Sequence, residues 1–137
     1  MDMTSSMEIS ASGMRAQGAR MRVIAENVAN ADTLPTQPGQ EPYRRKVITF
    51  QNELDRERGI ELVEVGDIKQ DLTTDFDARY MPGHPAADER GYVNTPNVNI
   101  AIETMDMREA QRSYEANLNM IEMSRSMMMR TVDLLRD

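Results

Sequence analysis

The sequence has no cysteine, no tryptophan and few other aromatic residues, with 4 tyrosines and 2 phenylalanines among 137 residues. Without cysteine the chain can form neither disulfides nor thiolate metal sites. Aromatic side chains contribute much of the buried area of cores and ligand pockets, so their scarcity argues against a globule built around a deep substrate site. No stretch approaches the roughly 20 apolar residues that are needed to span a bilayer.

Basic clusters are also scarce. The net charge is −7, and the longest basic run is the Arg-Arg-Lys triplet at 44–46. Nucleic-acid-binding proteins carry basic patches that neutralise phosphates, so we expect no nucleic-acid partner. The chain contains no glycine-rich phosphate loop and no nucleophile elbow, so we expect no cofactor, no small-molecule substrate and no enzymatic activity. Because no basic segment precedes an apolar core at the N-terminus, we expect no cleavable secretory signal.

Methionine is abundant, and all but one of the 13 methionines lie near the two ends of the sequence. The flexible methionine side chain suits contacts that must repack or meet several partners, although any single one is equally well explained as filler of a helix core. Their placement at both ends therefore indicates two helical ends that contact partners.

Hydrophobic patterning divides the chain into an N-terminal helix within residues 1–33, a strand-and-loop insertion over 34–97, and a long C-terminal helix within 98–137. We expect a mainly α fold in which the two helices pair as an antiparallel coiled-coil-like bundle. Prolines and glycines surround two β-prone stretches of the middle segment, which predicts two to four short strands and long loops.

The first helix is predicted to begin with a capping box formed by Ser5 and Glu8. Apolar residues then recur every seven positions, which predicts a seam that packs against another helix. Small residues follow the first three of them four positions later, as close packing of two helices requires. The seam consists of Met7, Met14, Met21 and Val28.

The last helix carries a longer seam with the same period and a predicted cap at Asn97 or Asn99. Over about 40 residues the period predicts a left-handed coiled seam roughly 60 Å long, more than a domain of this size can bury, so other subunits are expected to cover it. A further apolar row (Met120, Met127 and Leu134) flanks the seam near the C-terminus. The seam consists of Ile100, Met107, Tyr114, Ile121, Met128 and Leu135, with Leu118 and Val132 in a second row.

Two local features have both a functional and a structural interpretation. His84 could serve as a metal ligand or general base, but the spacing of a zinc site is absent and a loop or subunit contact explains it better. The acidic residues Asp67, Asp71, Asp75 and Asp77 lack the glycine and glutamate positions of an EF-hand, so a solvated face is the better interpretation.

Two sets of polar residues each have two interpretations that the sequence leaves open. Asn27 and Asn30 lie near the end of the first helix, where they either hydrogen-bond across a subunit interface or cap the helix. The basic triplet 44–46 either pairs with acidic groups of neighbouring subunits or forms a charged strand edge that prevents wrong pairing.

Ordered motifs along nearly the whole chain resemble the flagellar basal-body rod proteins. Residues 25–33 are similar to the N-terminal signature of this axial family, with Glu26 where many axial proteins have a first asparagine, a variation that separates a proximal-rod branch from hook and distal-rod relatives. The signature residues carried over are Glu26, Asn27, Ala29, Asn30 and Asp32. The other matching motifs are Ser10–Gln17, Pro42–Lys46, Tyr80–Pro85, Gly91–Asn99, Glu109–Asn117 and Arg130–Leu135.

The resemblance implies a structural subunit of the proximal rod of the bacterial flagellum. Terminal helices would pair and subunits would stack into a hollow drive shaft that transmits torque and lines the export channel. It also implies export by the flagellar type III apparatus without a cleaved signal, and a location in the periplasm-spanning rod of the basal body. The implied partners are the other proximal and distal rod proteins, and membrane-ring and adaptor proteins at the rod base.

Two other functions compete with a rod subunit. A regulatory helical module that binds one heterologous partner would explain the amphipathic ends but not the ordered motifs, and the presence of the protein in isolated basal bodies separates the two. A hydrolase that uses His84 would lose its activity when that residue is replaced by alanine.

Overall fold

The computed structural model describes residues 2–136. Its elements in chain order are α1 (Met3–Ala29), β1 (Lys46–Asp55), β2 (Ile60–Gln70), β3 (Asp77–Tyr80), β4 (Tyr92–Thr95) and α2 (Ile100–Leu134). β1 and β2 form a two-stranded hairpin. β3 and β4 form a second, antiparallel pair, in which Asp77 lies opposite Thr95 and Tyr80 opposite Tyr92.

The predicted pair of terminal helices around a β-rich middle is confirmed, but the class is more mixed than a mainly α fold. Helices account for 46% of residues 2–136 and strands for 21%. The described residues form four strands, within the predicted range, yet β1 and β2 are 10 and 11 residues long. That is about twice the usual strand length, so the prediction of short strands is wrong for this hairpin. Within residues 2–136, no helix is long and apolar enough to cross a membrane.

Both helices begin at polar caps, and one of the predicted caps is wrong. The carboxylate of Asp2 accepts a hydrogen bond from the Thr4 amide, so α1 starts before the predicted capping box at Ser5. This bond lowers the pKa of Asp2. At α2, Asn99 Oδ1 accepts from the amides of Ala101 and Ile102 at 3.0 and 3.4 Å, which decides between the two predicted caps.

The chain divides into two compact units, and both helices and the β1–β2 hairpin contribute residues to each. The first unit contains α1 up to Met21, residues Thr49–Asp67, and α2 from Arg108 onward. The second contains residues Arg22–Ile48 and Ile68–Met107.

In the first unit, α1 and α2 run antiparallel and pack through small residues. Gly13 lies so close to Asn117 that a Cβ atom added to it would stand 2.9 Å from the Asn117 amide nitrogen. Arg20 pairs with Glu109 at 3.4 Å. A later residue of α1 therefore contacts an earlier residue of α2, as in an antiparallel pair. The buried residues of the two helices in this unit are Ser10, Ser12, Ala16, Ala110 and Ser124.

The hairpin lies against α1 in the same unit. The amide of Val63 donates to the hydroxyl of Ser12 at 3.2 Å, and Arg58 near the turn forms an ion pair with Glu8. Ile60 at the start of β2 is buried. A serine on a helix therefore accepts a hydrogen bond from the backbone of the strand and joins the hairpin to α1.

The second unit has its apolar core at Val23, Ile24, Ala31, Ala86 and Val93. The connection between β3 and β4 depends on Gly91, whose φ is +84°. A Cβ atom at this position would stand 2.9 Å from the Tyr80 ring, so glycine is required both by the backbone conformation and by the close approach. The Tyr80 and Tyr92 rings meet edge to face with centroids 5.3 Å apart.

Candidate assembly surfaces and signature segment

The α1 seam predicted from the sequence lies outside the apolar core. Met7, Met14 and Met21 are half-buried and Val28 is exposed. The buried positions of α1 are instead occupied by small residues and by Val23 and Ile24. The long side chains of the seam therefore keep part of their surface exposed.

The α2 seam is divided in the same way. Met107, Tyr114, Ile121 and Met128 are half-buried, because they flank the face that contacts α1. The other seam residues, namely Ile100, Leu118, Val132 and Leu135, are exposed.

The row that completes the contact face of α2 lies three residues after the main seam, and not four as the sequence suggested. Glu103, Ala110 and Ser124 of this row are buried and Asn117 is half-buried. Hydrophobicity could not reveal the row because its side chains are small or polar. The seven-residue spacing of 103, 110, 117 and 124 was the signal that could have done so.

A large apolar surface remains uncovered on the C-terminal part of α2. We call it the methionine face, defined by Met120, Met123, Met127 and Leu134. Their spacing of three, four and seven residues places them on one side of the helix. The four side chains are 48–79% exposed. Exposed apolar patches of this kind are typical of surfaces that contact other molecules.

The signature segment contains a buried amide, that of Asn27, which is 1% exposed. Its nitrogen donates to the Lys46 carbonyl at 2.8 Å and to Glu103 Oε2 at 3.2 Å. Its oxygen accepts from the Lys46 amide at 2.9 Å and from the Tyr43 hydroxyl at 2.8 Å. These bonds use both donors and both acceptor positions of the side chain. The Asn27 side chain therefore joins the end of α1 to Glu103 and to the segment 43–46 and does not cap the helix, while a subunit contact of this residue stays a prediction.

Glu103 is the second centre of this polar network and is also 1% exposed. It pairs with the Arg45 guanidinium, which lies 3.8 Å from both Asp71 and Asp106. The Arg45 amide donates to Asn97 Oδ1 at 2.7 Å. Thus a buried carboxylate at the start of α2 is neutralised by a cation from the segment that leads into β1.

Two groups of the network have shifted pKa values. Burial, with the nearby Glu26 and Glu103 carboxylates, raises the pKa of Tyr43 to about 12, so the phenol stays protonated and donates to Asn27. Hydrogen bonds from the Thr73 and Thr74 side chains and amides hold the pKa of Asp71 well below its usual range. Asp71 is half-buried, so the predicted solvated face is wrong for this residue, whereas Asp67, Asp75 and Asp77 are exposed.

The other signature residues lie at or beyond the end of α1. Asn30 donates to the Glu26 carbonyl at 2.9 Å and accepts from the Thr33 hydroxyl, which is the helix-end role. Glu26 forms an ion pair with Lys46. Ala29 and Asp32 are exposed.

The basic triplet and the histidine both have partners within the chain. The Arg44 guanidinium stacks 4.3 Å from the centre of the Phe76 ring, and the two residues after it bind the network carboxylates and Glu26. His84 Nδ1 accepts from the Ala86 amide at 3.1 Å, as in a loop. Residues 2–136 contain no group of histidines and carboxylates placed to hold a metal ion.

Comparison with known proteins connects both ends of the chain to one family. Residues 7–34 match the flagella basal body rod proteins, and residues 89–134 match the C-terminal region of the flagellar basal body rod FlgEFG proteins. The flagellar basal-body rod protein FlgC of Agrobacterium fabrum is 46% identical over 134 residues, which cover 98% of this chain and 96% of the relative. FlgC of Escherichia coli is 38% identical over 93% of both chains, and FlgC of Aquifex aeolicus is 38% identical over 97% of both.

Proposed function

The chain belongs to the FlgC family of flagellar basal-body rod proteins, and from that premise we propose how it acts as a structural subunit of the rod. Relatives of 38–46% identity over nearly the full length establish the family. Family membership also confirms that the chain is a structural protein and not an enzyme.

Subunits assemble through the apolar surfaces that the two helices leave uncovered. The observation that carries this proposal is the methionine face, whose side chains are 48–79% exposed although they lie in regular helix. The half-buried methionines of α1 and the exposed residues Leu118, Val132 and Leu135 of α2 extend the apolar surface. Together these residues form the proposed assembly interface, which adds the methionine face to the α1 seam and to part of the α2 seam that the sequence predicted.

The energetics favour such a surface. Complete burial of a methionine or leucine side chain stabilises an interface by about 1.5–3 kcal/mol. Methionine adapts its shape to irregular neighbours, which suits a subunit that contacts rod proteins unlike itself. The small residues between α1 and α2 hold the helices close together, so the larger side chains point outward.

In the assembled flagellum we place the chain in the proximal rod, a hollow drive shaft that transmits torque and lines the export channel. Residues 1–33 and 98–137 form its coiled-coil-like core and residues 34–97 its insertion. Its partners are neighbouring proximal and distal rod proteins, ring and adaptor proteins at the rod base, and the type III apparatus that exports it without a cleaved signal into the periplasm-spanning rod. The support for this placement is the family and the ordered motifs.

A charge introduced into the methionine face tests the assembly surface. In cells that carry Met123→Asp with Met127→Asp we expect no swimming in soft agar and no protein in isolated basal bodies, because the interface would bury two carboxylates without partners. The purified variant should keep its helix content by circular dichroism. Gln111→Asp with Asn119→Asp adds the same two charges at exposed polar positions of α2 and should leave motility normal. Normal motility of the methionine variant would contradict the proposal.

A further inference from the structure

The two edges of the β1–β2 hairpin differ in what lies beside them in the first compact unit. The amide of Val63 in β2 donates to the Ser12 hydroxyl at 3.2 Å, so α1 lies against the outer edge of β2. Within the described residues 2–136, β1 pairs with no strand other than β2. A helix therefore meets one edge of this two-stranded sheet, while the edge of β1 has no strand beside it.

Every second residue of β1 contributes its backbone groups to the outer edge. The Asp55 carbonyl accepts from the Gly59 amide at 2.8 Å, so the backbone of Asp55 faces the β2 side of the hairpin. Because successive residues of a strand direct their N–H and C=O groups to alternate sides, those of Phe50, Asn52 and Leu54 point away from β2. Residues 49–54 are all exposed. This part of β1 therefore presents a row of donors and acceptors that a further strand could use.

The outer edge of β1 lacks two of the features that usually protect an exposed strand. Soluble proteins place lysine or proline on such edges to prevent pairing with other chains. Residues 47–55 contain neither. The side chains of Phe50 and Leu54 lie on the same face of the strand and are 39% and 55% exposed. An open edge with exposed apolar side chains is the arrangement to which peptide segments add as strands.

The charge of the hairpin defines the segment that would fit this edge. Residues 49–67 contain six acidic residues and two arginines. Basic residues in an added segment would therefore be attracted to the hairpin, and apolar residues at alternate positions would cover Phe50 and Leu54. Edge-to-edge pairing of two copies through β1 would instead bring two acidic hairpins together in a closed two-fold pair, which does not extend into a shaft of stacked subunits.

We propose that the outer edge of β1, at Phe50, Asn52 and Leu54, binds an extended basic segment of a neighbouring rod protein as an added β-strand. Main-chain hydrogen bonds hold the segment, and the apolar and acidic side chains of the hairpin select it. That the neighbour is a rod protein rests on the proposed function, whereas the open edge is a property of the single chain. The edge contains no residue of the methionine face, so the two surfaces can be tested separately.

Proline in place of Asn52 tests the main-chain pairing. It removes an amide that faces away from β2, which the outer side of an edge strand tolerates, so the purified Asn52→Pro chain should keep its circular dichroism spectrum and its thermal midpoint. Gln51→Pro removes an amide that faces β2 and should lower the midpoint. In cells, we expect Asn52→Pro to abolish swimming and to lower the ratio of basal-body to whole-cell protein at least about tenfold, because the added strand loses a main-chain bond and meets the proline ring. Asn52→Ala keeps the amide and should match the wild type.

Three results would overturn the proposal. The first is a wild-type ratio of basal-body to whole-cell protein for Asn52→Pro. The second is an equal loss for Asn52→Pro and Asn52→Ala, because the neighbour would then recognise the side chain and not the main chain. The third is unfolding of the purified Asn52→Pro chain, since its amide would then be bonded within the hairpin. The variant with Met123→Asp and Met127→Asp is measured in the same assay, so failure of the edge and failure of the methionine face are distinguished.

Discussion

The two ends of α2 differ in how far their side chains are buried and bonded within the chain. At its start, Glu103 is buried and bonded to Arg45 and Asn27, and Asn27 has all of its hydrogen bonds within the chain. Toward its end, the side chains of the methionine face are 48–79% exposed. The first turns of α2 therefore take part in a buried polar network, whereas its last turns present an apolar surface that is largely exposed.

This difference indicates how one short chain can be both a defined fold and a building block. Directional hydrogen bonds suit the end that must adopt one arrangement, since they fail when misplaced. Flexible apolar side chains suit the end that must fit neighbours. Substitutions at the first end should therefore change the stability of the free chain, and substitutions at the second should change its assembly.

The largest expected effect on the free chain is that of Glu103→Ala. It removes one partner of a buried ion pair and leaves Arg45 and the Asn27 amide short of acceptors, which should lower the free energy of unfolding by about 3–5 kcal/mol. Urea denaturation measures the change. Glu122→Ala, at an exposed position of the same helix, is the control and should change stability by less than about 0.5 kcal/mol. Equal losses in the two variants would remove the distinction between the two ends of α2.

Asp71→Asn should have an intermediate effect that depends on pH. The carboxylate accepts hydrogen bonds from Thr73 and Thr74. The amide of the variant accepts them less well, which should lower the free energy of unfolding by about 1–2 kcal/mol at neutral pH. Because the pKa of Asp71 is lowered in the folded chain, its contribution is present above the unfolded value of about 4 and is lost as the pH falls through the folded value. The difference between the wild type and this variant should therefore shrink on acidification below about pH 4. For the exposed Asp75→Asn we expect little change at any pH.

A matched pair of glycine substitutions on α1 should give changes near 1 kcal/mol. Gly18→Ala should stabilise the chain by up to about 1 kcal/mol, because alanine favours helix and the position opens onto free space in the described part of the chain. Gly13→Ala gains the same propensity but must displace the Asn117 side chain, so its net gain should be smaller or negative. Thermal unfolding of the two variants compares them. If both were stabilised equally, the close contact between α1 and α2 would be in doubt.

The smallest effect on stability is expected in the methionine face. Met127→Ser should change the free energy of unfolding of the free chain by no more than about 0.5 kcal/mol, since the side chain is exposed there. The same variant should reduce swimming, because the assembled interface loses an apolar contact. A large loss of stability in the free chain would show that this end of α2 is part of the fold after all.

The sequence predicted the features that depend on hydrophobic period and turn residues. These include the two terminal helices, the β-rich middle, and the cap of α2, for which Asn99 was one of the two candidates. Each is a local property of the chain, or repeats often enough to be recognised without knowledge of the tertiary structure.

The polar network could not be predicted in the same way. Its members are far apart in sequence, as Asn27 and Glu103 are, and each looks like an ordinary surface residue until its partners are known. The face between α1 and α2 was missed because Ala110, Ser124 and Gly13 are small. A close contact between helices requires small side chains, and a hydrophobic pattern does not reveal them. Asp2 was missed as the helix cap because Ser5 and Glu8 offered a more familiar pattern.

Oxidation of methionines tests the central contrast most directly. Dilute hydrogen peroxide is applied to the purified chain and to isolated basal bodies, and mass spectrometry measures the sulfoxide formed at each methionine. We expect Met123 and Met127 to oxidise quickly in the free chain and at least tenfold more slowly in the basal body, with a smaller change at half-buried Met107. Equal oxidation of Met123 and Met127 in the two samples would contradict the assignment of the methionine face to assembly.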